Sequence, residues 1–167
     1  LGGGTTPAVR GYLTGGYGGG GVAAGGFDAV AWDPDSVRVA RGVFGASLLY
    51  PVGIQQCPLD EIDRVTTWMA GESAGQCGPC VFGLPSVSDD VHQLAVGSAG
   101  DEDMDRLNRR LGLIVNRGGC KHPDGTARFV ATGLSVFADE VALHLERRCS
   151  AGDRSHGDHA TALPVPT

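Results

Sequence analysis

Four consecutive segments between Pro58 and Arg148 repeat apolar residues at spacings of three and four, and this repeat restricts the fold more than any other feature. Each segment predicts an amphipathic helix that buries one face. The first predicted helix begins at Pro58 and the second at Pro85. The third runs from about Asp101 to Arg117, and the fourth from about Thr126 to Arg148. Four such helices joined by short links are typical of a helical bundle.

The ends of these segments carry residues expected at helix termini. Pro58 suits a first helical position, and Asp60 and Glu61 in the first turn complement the positive end of the helix dipole. The third segment opens with three acidic residues and stops at Gly118–Gly119, as helix start and stop signals predict.

Residues 1–56 have a different composition: 12 of the 28 glycines of the chain lie within its first 26 residues. Val9–Thr14 and Ser47–Val52 are predicted strands, Gly15–Gly21 is a predicted turn-rich break, and a short helix with an Asp N-cap is predicted near Asp35. The start at Leu1 suggests a piece of a longer chain. The whole chain is therefore predicted to be α+β, with a small strand-containing unit before the helices.

The glycine cluster contains a formal G-x-G-x-x-G pattern at Gly16, Gly18 and Gly21. A dinucleotide-binding loop of this kind must open a helix whose N-terminus receives the pyrophosphate. Here two more glycines follow within Val22–Gly26, and such a segment does not open a stable helix. We therefore interpret the cluster as a turn, a linker or closely packed backbone.

Charge and hydropathy exclude several classes of function. The 167 residues carry a net charge of −6, which lacks the cationic surface that nucleic-acid binding needs. No window approaches the ~20 apolar residues of a membrane span, and the N-terminus lacks the pattern of a secretory signal. Five unevenly spaced cysteines do not suggest a disulfide framework; the C-x2-C pair among them favours an intracellular metal or redox site.

That pair is Cys77-Gly-Pro-Cys80, between the first two predicted helices, and Cys120 follows it by forty residues between the last two. Thiolates are the soft ligands used by iron–sulfur clusters and zinc. A bundle would collect such ligands at one end from two interhelix loops.

The string Glu72-Ser73-x-Gly75-x-Cys77-x-Pro79-Cys80, followed by the distant Cys120, resembles the C-terminal iron–sulfur region of the flavoprotein subunit of NADH:quinone oxidoreductase (respiratory complex I). Related NAD-linked hydrogenases and formate dehydrogenases share this region. The resemblance covers about residues 10–148 and is strongest to a divergent stand-alone branch. It implies an incomplete β-grasp-like (SLBB) unit at 1–56 and a four-helix domain at 57–149 that holds a 4Fe–4S cluster. We expect the polar tail, 150–167, to be disordered.

Two positions depart from the family pattern: Ala74 stands where the family has its first cluster cysteine, and Val81 where it has a basic residue. The ligands that carry over are Cys77, Cys80 and Cys120. The fourth could be His122, Cys57, water or an open position, and a 3Fe–4S cluster is an alternative. Cys57 would lie ~20 Å from the loop if the intervening segment is one straight helix. Gly75, Gly78 and Gly119 are predicted to bring backbone N–H groups close to the cluster sulfurs.

The resemblance implies an electron-transfer domain of a cytoplasmic oxidoreductase, which could lie beside a membrane redox partner, with no catalytic residue of its own. The FMN and NADH sites would lie in a flavin-containing upstream domain or subunit, and the electron would pass to a downstream redox partner. Two alternatives remain open. One is a zinc site formed by Cys77, Cys80, Cys120 and His122, and the other is a degenerate assembly or binding module without a cluster.

The other cysteine, histidine, arginine and aromatic residues are predicted to lie outside the site. Cys149 is predicted to be a free thiol, and Trp68 and Phe137 to belong to the core. His92 and His144 are predicted on helix surfaces, Arg106, Arg109 and Arg110 on the outer face of a helix, and His156 and His159 in a solvated tail.

Overall fold

The computed structural model describes residues 8–27 and 30–152, in which a three-stranded sheet is followed by helices. All strands of these residues precede residue 54, and this arrangement confirms the α+β class. The elements are β1 Val9–Thr14, β2 Gly20–Ala23, α1 Pro34–Val39, β3 Leu49–Gly53, α2 Pro58–Gly71, α3 Leu84–Ala95, α4 Asp101–Ile114, α5 His122–Val136 and α6 Ala138–Leu145. None of the helices in this part of the chain is long and apolar enough to cross a membrane.

The sheet is antiparallel in the order β2-β1-β3. The sequence pattern does not predict β2, because its first two residues belong to a glycine run and glycine has a low preference for strands. Packing explains the glycines: a Cβ atom on Gly21 would lie 3.2 Å from Cα of Gly133 in α5. The glycine cluster is thus a hairpin turn followed by a strand that lies against a helix backbone.

The short helix α1 follows its predicted cap chemistry, shifted by two residues. Asp33, rather than Asp35, is the N-cap, and its carboxylate accepts hydrogen bonds from the N–H groups of Asp35 and Ser36 at 3.0 Å. Pro34 occupies the first helical position, where its missing N–H is not needed.

The first and third predicted helices agree closely with α2 and α4. α4 ends at Ile114 rather than Arg117, because Val115 leaves the helical region and Asn116 is left-handed at φ 59°. Helix α3 is preceded by a π-helical turn, Pro79–Gly83, that runs directly into it.

The fourth predicted helix is divided into two helices in the structure, and the first of them begins four residues earlier than the predicted start at Thr126. α5 starts at His122, and Phe137 interrupts the helical path with φ −105° and ψ 35° before α6. The interruption places the Phe137 ring over β1, where a Cβ atom on Gly11 would lie 3.1 Å from Cε1 of the ring. Between Pro58 and Leu145 the structure therefore has five α-helices, α2–α6, rather than the predicted four.

Sheet and helices share one hydrophobic core. Leu13 and Val52 from the sheet and Phe129 from α5 are all almost fully buried in it. Phe137 belongs to this core as predicted, whereas Trp68 packs at its edge, with its ring 4.3 Å from that of Tyr17.

Two of the three arginines expected on an outer face hold a buried carboxylate. Asp90 of α3 is 2% exposed and lies 2.7 Å from Arg106 and 2.5 Å from Arg110, both on α4. Arg109 is exposed, as predicted. His156 and His159, with most of the predicted tail, lie outside the described residues.

Candidate metal centre

The two loops that carry the cysteine motif meet at one end of the helices. One loop joins α2 to the π-helical turn, and the other joins α4 to α5. A hydrogen bond joins the helices next to these loops: Nε2 of His122, the first residue of α5, lies 2.8 Å from the carbonyl oxygen of Met69 near the end of α2.

Cys77 and Cys80 are brought together by the start of a helical turn. The carbonyl oxygen of Cys77 accepts hydrogen bonds from the N–H groups of Cys80 at 3.0 Å and of Val81 at 2.9 Å. The turn leaves the two side chains close enough for the Cys80 thiol to donate a hydrogen bond to the sulfur of Cys77. Gly75, which precedes the pair, adopts the left-handed conformation with φ 62°.

Backbone N–H groups point at these sulfurs. The N–H of Gly119 donates to the Cys77 sulfur, and the N–H of Cys80 does so as well; together they lower the pKa of Cys77. Burial raises the pKa of Cys80, and the neighbouring thiols add to this rise, while the N–H of Gly75 partly offsets it. Donors of this kind stabilise negative charge on sulfur, as a metal-bound thiolate requires.

Cys120 is exposed in the α4–α5 loop and lies near enough to Cys80 for its charge to raise the pKa of that thiol. Of the three glycines expected to approach the sulfurs, Gly75 and Gly119 direct their N–H groups at them, and at Gly78 the space where a Cβ atom would stand is open. The role of all three in binding a cluster stays a prediction.

The structure separates the two candidates for a fourth ligand. Cys57 is the N-cap of α2, at the opposite end of this 14-residue helix from the motif, and its sulfur lies 3.4 Å from Nε2 of His144. His122 adjoins the motif. Because the carbonyl of Met69 can only accept, Nε2 of His122 carries the proton, and Nδ1 holds the lone pair of the neutral ring. A ligating histidine is commonly oriented in this way.

One expectation about another side chain was wrong: His144 is 2% exposed rather than on a helix surface. Cys149 is a free thiol, as predicted, and it donates a hydrogen bond to Glu140 beside it. These residues and Cys57 form a second cluster that sequence reasoning missed. The i, i+4 spacing of Glu140 and His144 is a signal in the sequence, but Cys57 lies 87 residues before His144.

The family model of the NADH-ubiquinone oxidoreductase-F iron-sulfur binding region matches residues 60–144, about half of the chain. The chain belongs to this family. The NADH-quinone oxidoreductase F subunit of Mycobacterium bovis is 28% identical to it over 117 residues, which are 70% of this chain and 26% of the relative. Its counterpart in Streptomyces coelicolor is 27% identical over 119 residues, which are 71% of this chain and 26% of the relative.

The fold is also that of a solved structure. A chain of an NAD+-reducing [NiFe]-hydrogenase in the H2-reduced state superposes with a TM-score of 0.68 at 17% identity, covering 83% of this chain and 23% of that one. This chain spans about a quarter of the length of the curated relatives and solved structures that it matches.

The NADH-ubiquinone oxidoreductase-F iron-sulfur binding region of this chain includes all three motif cysteines and His122, whereas Cys57 and Cys149 lie outside it. The chemistry of the donor set fits an iron–sulfur cluster: the thiols of Cys77 and Cys80 are in contact and receive backbone N–H groups, and the Cys120 thiol lies within electrostatic range of Cys80. Ala74, where the sequence resemblance implies that the family has a cysteine, is exposed and offers only a methyl group.

Removal of the Gly119 donor should raise the pKa of Cys77 in the metal-free chain. Gly119→Pro eliminates the N–H, while Gly119→Ala keeps it and meets no atom within 4 Å. Alkylation requires the thiolate, so the pH midpoint of Cys77 alkylation should move upward in the proline variant and stay unchanged in the alanine variant. Site-resolved mass spectrometry measures this midpoint, and equal midpoints in both variants would contradict the hydrogen bond.

Proposed function

We propose that this chain is the electron-relay module of an NADH-oxidoreductase-like protein and that Cys77, Cys80 and Cys120 bind its iron–sulfur cluster. The observation that carries the proposal is the contact between the thiols of Cys77 and Cys80, which receive backbone N–H groups, with Cys120 of the second loop within electrostatic range of Cys80. An iron–sulfur cluster supplies one-electron transfer when bound.

His122 is the fourth ligand in this proposal, through Nδ1. Its Nε2–H donates to the Met69 carbonyl at 2.8 Å, which fixes the ring and leaves Nδ1 able to coordinate. Three thiolates and one imidazole suit a 4Fe–4S cluster in which one iron lacks a thiolate, and a 3Fe–4S cluster is the form expected when that iron is lost.

The surrounding backbone sets the redox potential of the site. N–H groups of Gly75, Cys80 and Gly119 donate to ligand sulfurs, which stabilises the more negative, reduced state and raises the potential. Gly78 lies within the same loop, but a Cβ atom there would meet no atom within 4 Å, so we expect Gly78→Ala to leave the approach of the backbone to the sulfurs unchanged.

The partners follow from the relatives, of which this chain spans about a quarter. We propose that a flavin-containing domain or subunit with the FMN and NADH sites donates electrons, that a downstream redox protein accepts them, and that both are cytoplasmic. The three-stranded sheet would then be the incomplete SLBB unit, and α2–α6 the counterpart of the four-helix domain of the family.

Anaerobic reconstitution of the full chain with iron and sulfide tests this function. We expect a brown protein with thiolate-to-iron charge-transfer absorption, bound iron and sulfide, and an EPR signal that changes on reduction by dithionite. A colourless chain that binds zinc in place of iron would identify the motif as a zinc site, and a chain that binds neither metal would identify a degenerate module; each result overturns the proposal.

A rescue experiment tests the fourth ligand. His122→Ala should shorten the lifetime of the cluster in air by about tenfold or more, in line with the roughly 10–100-fold effects seen when metal-site partners are lost. Adding Ala74→Cys should restore the lifetime, because it returns the fourth thiolate of the family. His92→Ala is the matched control, since His92 is an exposed histidine bonded to Asp63. No change in His122→Ala would rule His122 out as a ligand.

A further inference from the structure

A second group of potential metal ligands lies apart from the cysteine motif. One ligand atom each from Cys57, Glu140, His144 and Cys149 lies within 4.8 Å of all the others. The first three residues are buried and Cys149 is half-buried. Cys57 caps the N-terminus of α2, whereas the motif follows the C-terminus of this 14-residue helix, about 20 Å away at 1.5 Å per residue. We propose that these four residues form a structural zinc site.

Three separate segments of the chain supply the ligands. Glu140 and His144 are one helical turn apart on α6, and Cys57 immediately precedes α2. The chain turns back after α6 and so brings Cys149 beside the other three residues. Arg147 is left-handed with φ 58°, and its N–H donates a hydrogen bond to the His144 carbonyl at 2.9 Å. This helix-ending turn reverses the chain within a few residues.

The hydrogen bonds of His144 orient its ring as a metal ligand. Nδ1 lies 3.1 Å from the carbonyl oxygen of Leu94, which can only accept, so Nδ1 carries the proton. Nε2 then holds the lone pair of the neutral ring, and it faces Cys57 Sγ at 3.4 Å and Glu140 Oε1 at 3.3 Å. Most metal-ligating histidines donate their second N–H to a carbonyl or a carboxylate in this way.

The carboxylate of Glu140 is held in position by two elements outside α6. It accepts hydrogen bonds from Arg10 at 2.8 Å and from the N–H of Ser150 at 3.0 Å. With two thiolates and this carboxylate, bound Zn²⁺ would leave one net negative charge beside the Arg10 guanidinium.

The donor set and its spacing suit zinc. Zinc binds cysteine, histidine and carboxylate ligands tetrahedrally, and its bond lengths place neighbouring ligand atoms roughly 3.3–3.8 Å apart. The Cys57–His144 and His144–Glu140 distances already fall in this range. The competing explanations are a metal-free hydrogen-bonded network and a Cys57–Cys149 disulfide.

Zinc binding is tested on the full chain that carries Cys77→Ser, Cys80→Ser and Cys120→Ser, which removes the motif thiols. Zn²⁺ is added under reducing, anaerobic conditions and excess metal is removed. We expect one tightly held zinc per chain, and X-ray absorption should show two sulfur neighbours at about 2.3 Å and two nitrogen or oxygen neighbours. Because this chain cannot bind the cluster, failure here is distinguishable from failure of the proposed function.

Loss of the zinc in Cys149→Ala, and its retention in His92→Ala, would support the site. Cys149 is half-buried, and its truncation is milder than that of buried Cys57. As a second readout, native mass spectrometry of the unsubstituted, cluster-loaded chain should show one zinc in addition to the cluster. Substoichiometric zinc, zinc with fewer than two sulfur neighbours, zinc unchanged by Cys149→Ala, or a persistent Cys57–Cys149 disulfide would each overturn the proposal.

Discussion

Cys80→Ser is expected to abolish the binding of iron and sulfide, and Cys77→Ser and Cys120→Ser should each do the same. The site has three thiols, so removal of one leaves two, too few to retain a cluster that normally has four cysteine ligands. Cys80 is the most buried of the three, and it is the thiol on which both of the others act. Iron and sulfide analysis after anaerobic reconstitution, together with EPR of the reduced protein, measures the loss.

Cys57→Ser and Cys149→Ser are controls for cluster binding alone, because they remove the same functional group near the far end of α2, where the zinc site is proposed. Both variants should keep the full iron and sulfide content, provided that circular dichroism shows them folded. Loss of the cluster in Cys57→Ser alone would show that this residue reaches the motif in solution. Retention of a full cluster in Cys80→Ser would exclude the motif as the binding site.

Phe129→Ala is expected to lower the free energy of unfolding by about 3–5 kcal/mol, the cost of truncating a fully buried phenylalanine. Phe129 is 0% exposed on α5, the helix that packs against β2, α2 and α4. A cavity there would loosen the contacts of the helix that begins at His122. Denaturant unfolding measures the free energy, and the melting temperature should fall by roughly 6–20 °C.

Phe82→Ala makes the same truncation on an exposed side chain. Phe82 is 74% exposed on the π-helical turn, so its replacement should change the free energy of unfolding by less than about 0.5 kcal/mol. The comparison is made on chains in the same cluster state, since bound cofactor adds to stability. Similar losses in the two variants would mean that α5 is not central to the core.

Helix α2 shows how far the sequence alone could lead. Its start at Pro58 and its end at Gly71 were both predictable, because proline and acidic residues mark the first turn and apolar residues recur with helical spacing. Cys77 and Cys80 could be predicted as a pair of ligands because their spacing, too, is a local feature of the sequence. A C-x2-C pair is local, so its two thiols are brought together by one turn whatever the rest of the chain does.

Strand β2 and the break at Phe137 could not be predicted in this way. Glycine in β2 and an apolar run through Phe137 favour a turn and a continuous helix when only neighbours in the sequence are considered. The close approach of Gly21 to Gly133, and of the Phe137 ring to Gly11, reverses both preferences. Contacts between residues more than a hundred positions apart decide these elements.

The sequence by itself determined the α+β class, the positions of the main helices and the family to which the cysteine motif belongs. Each of these depends on short-range periodicity or on the types and spacing of residues that the sequence shows directly. Only the tertiary structure decided that the ring of His122 is held by the Met69 carbonyl and that Glu140, His144 and Cys149 surround Cys57. The physical reason is that helix packing, which brings together residues 87 positions apart, leaves no local pattern in the chain.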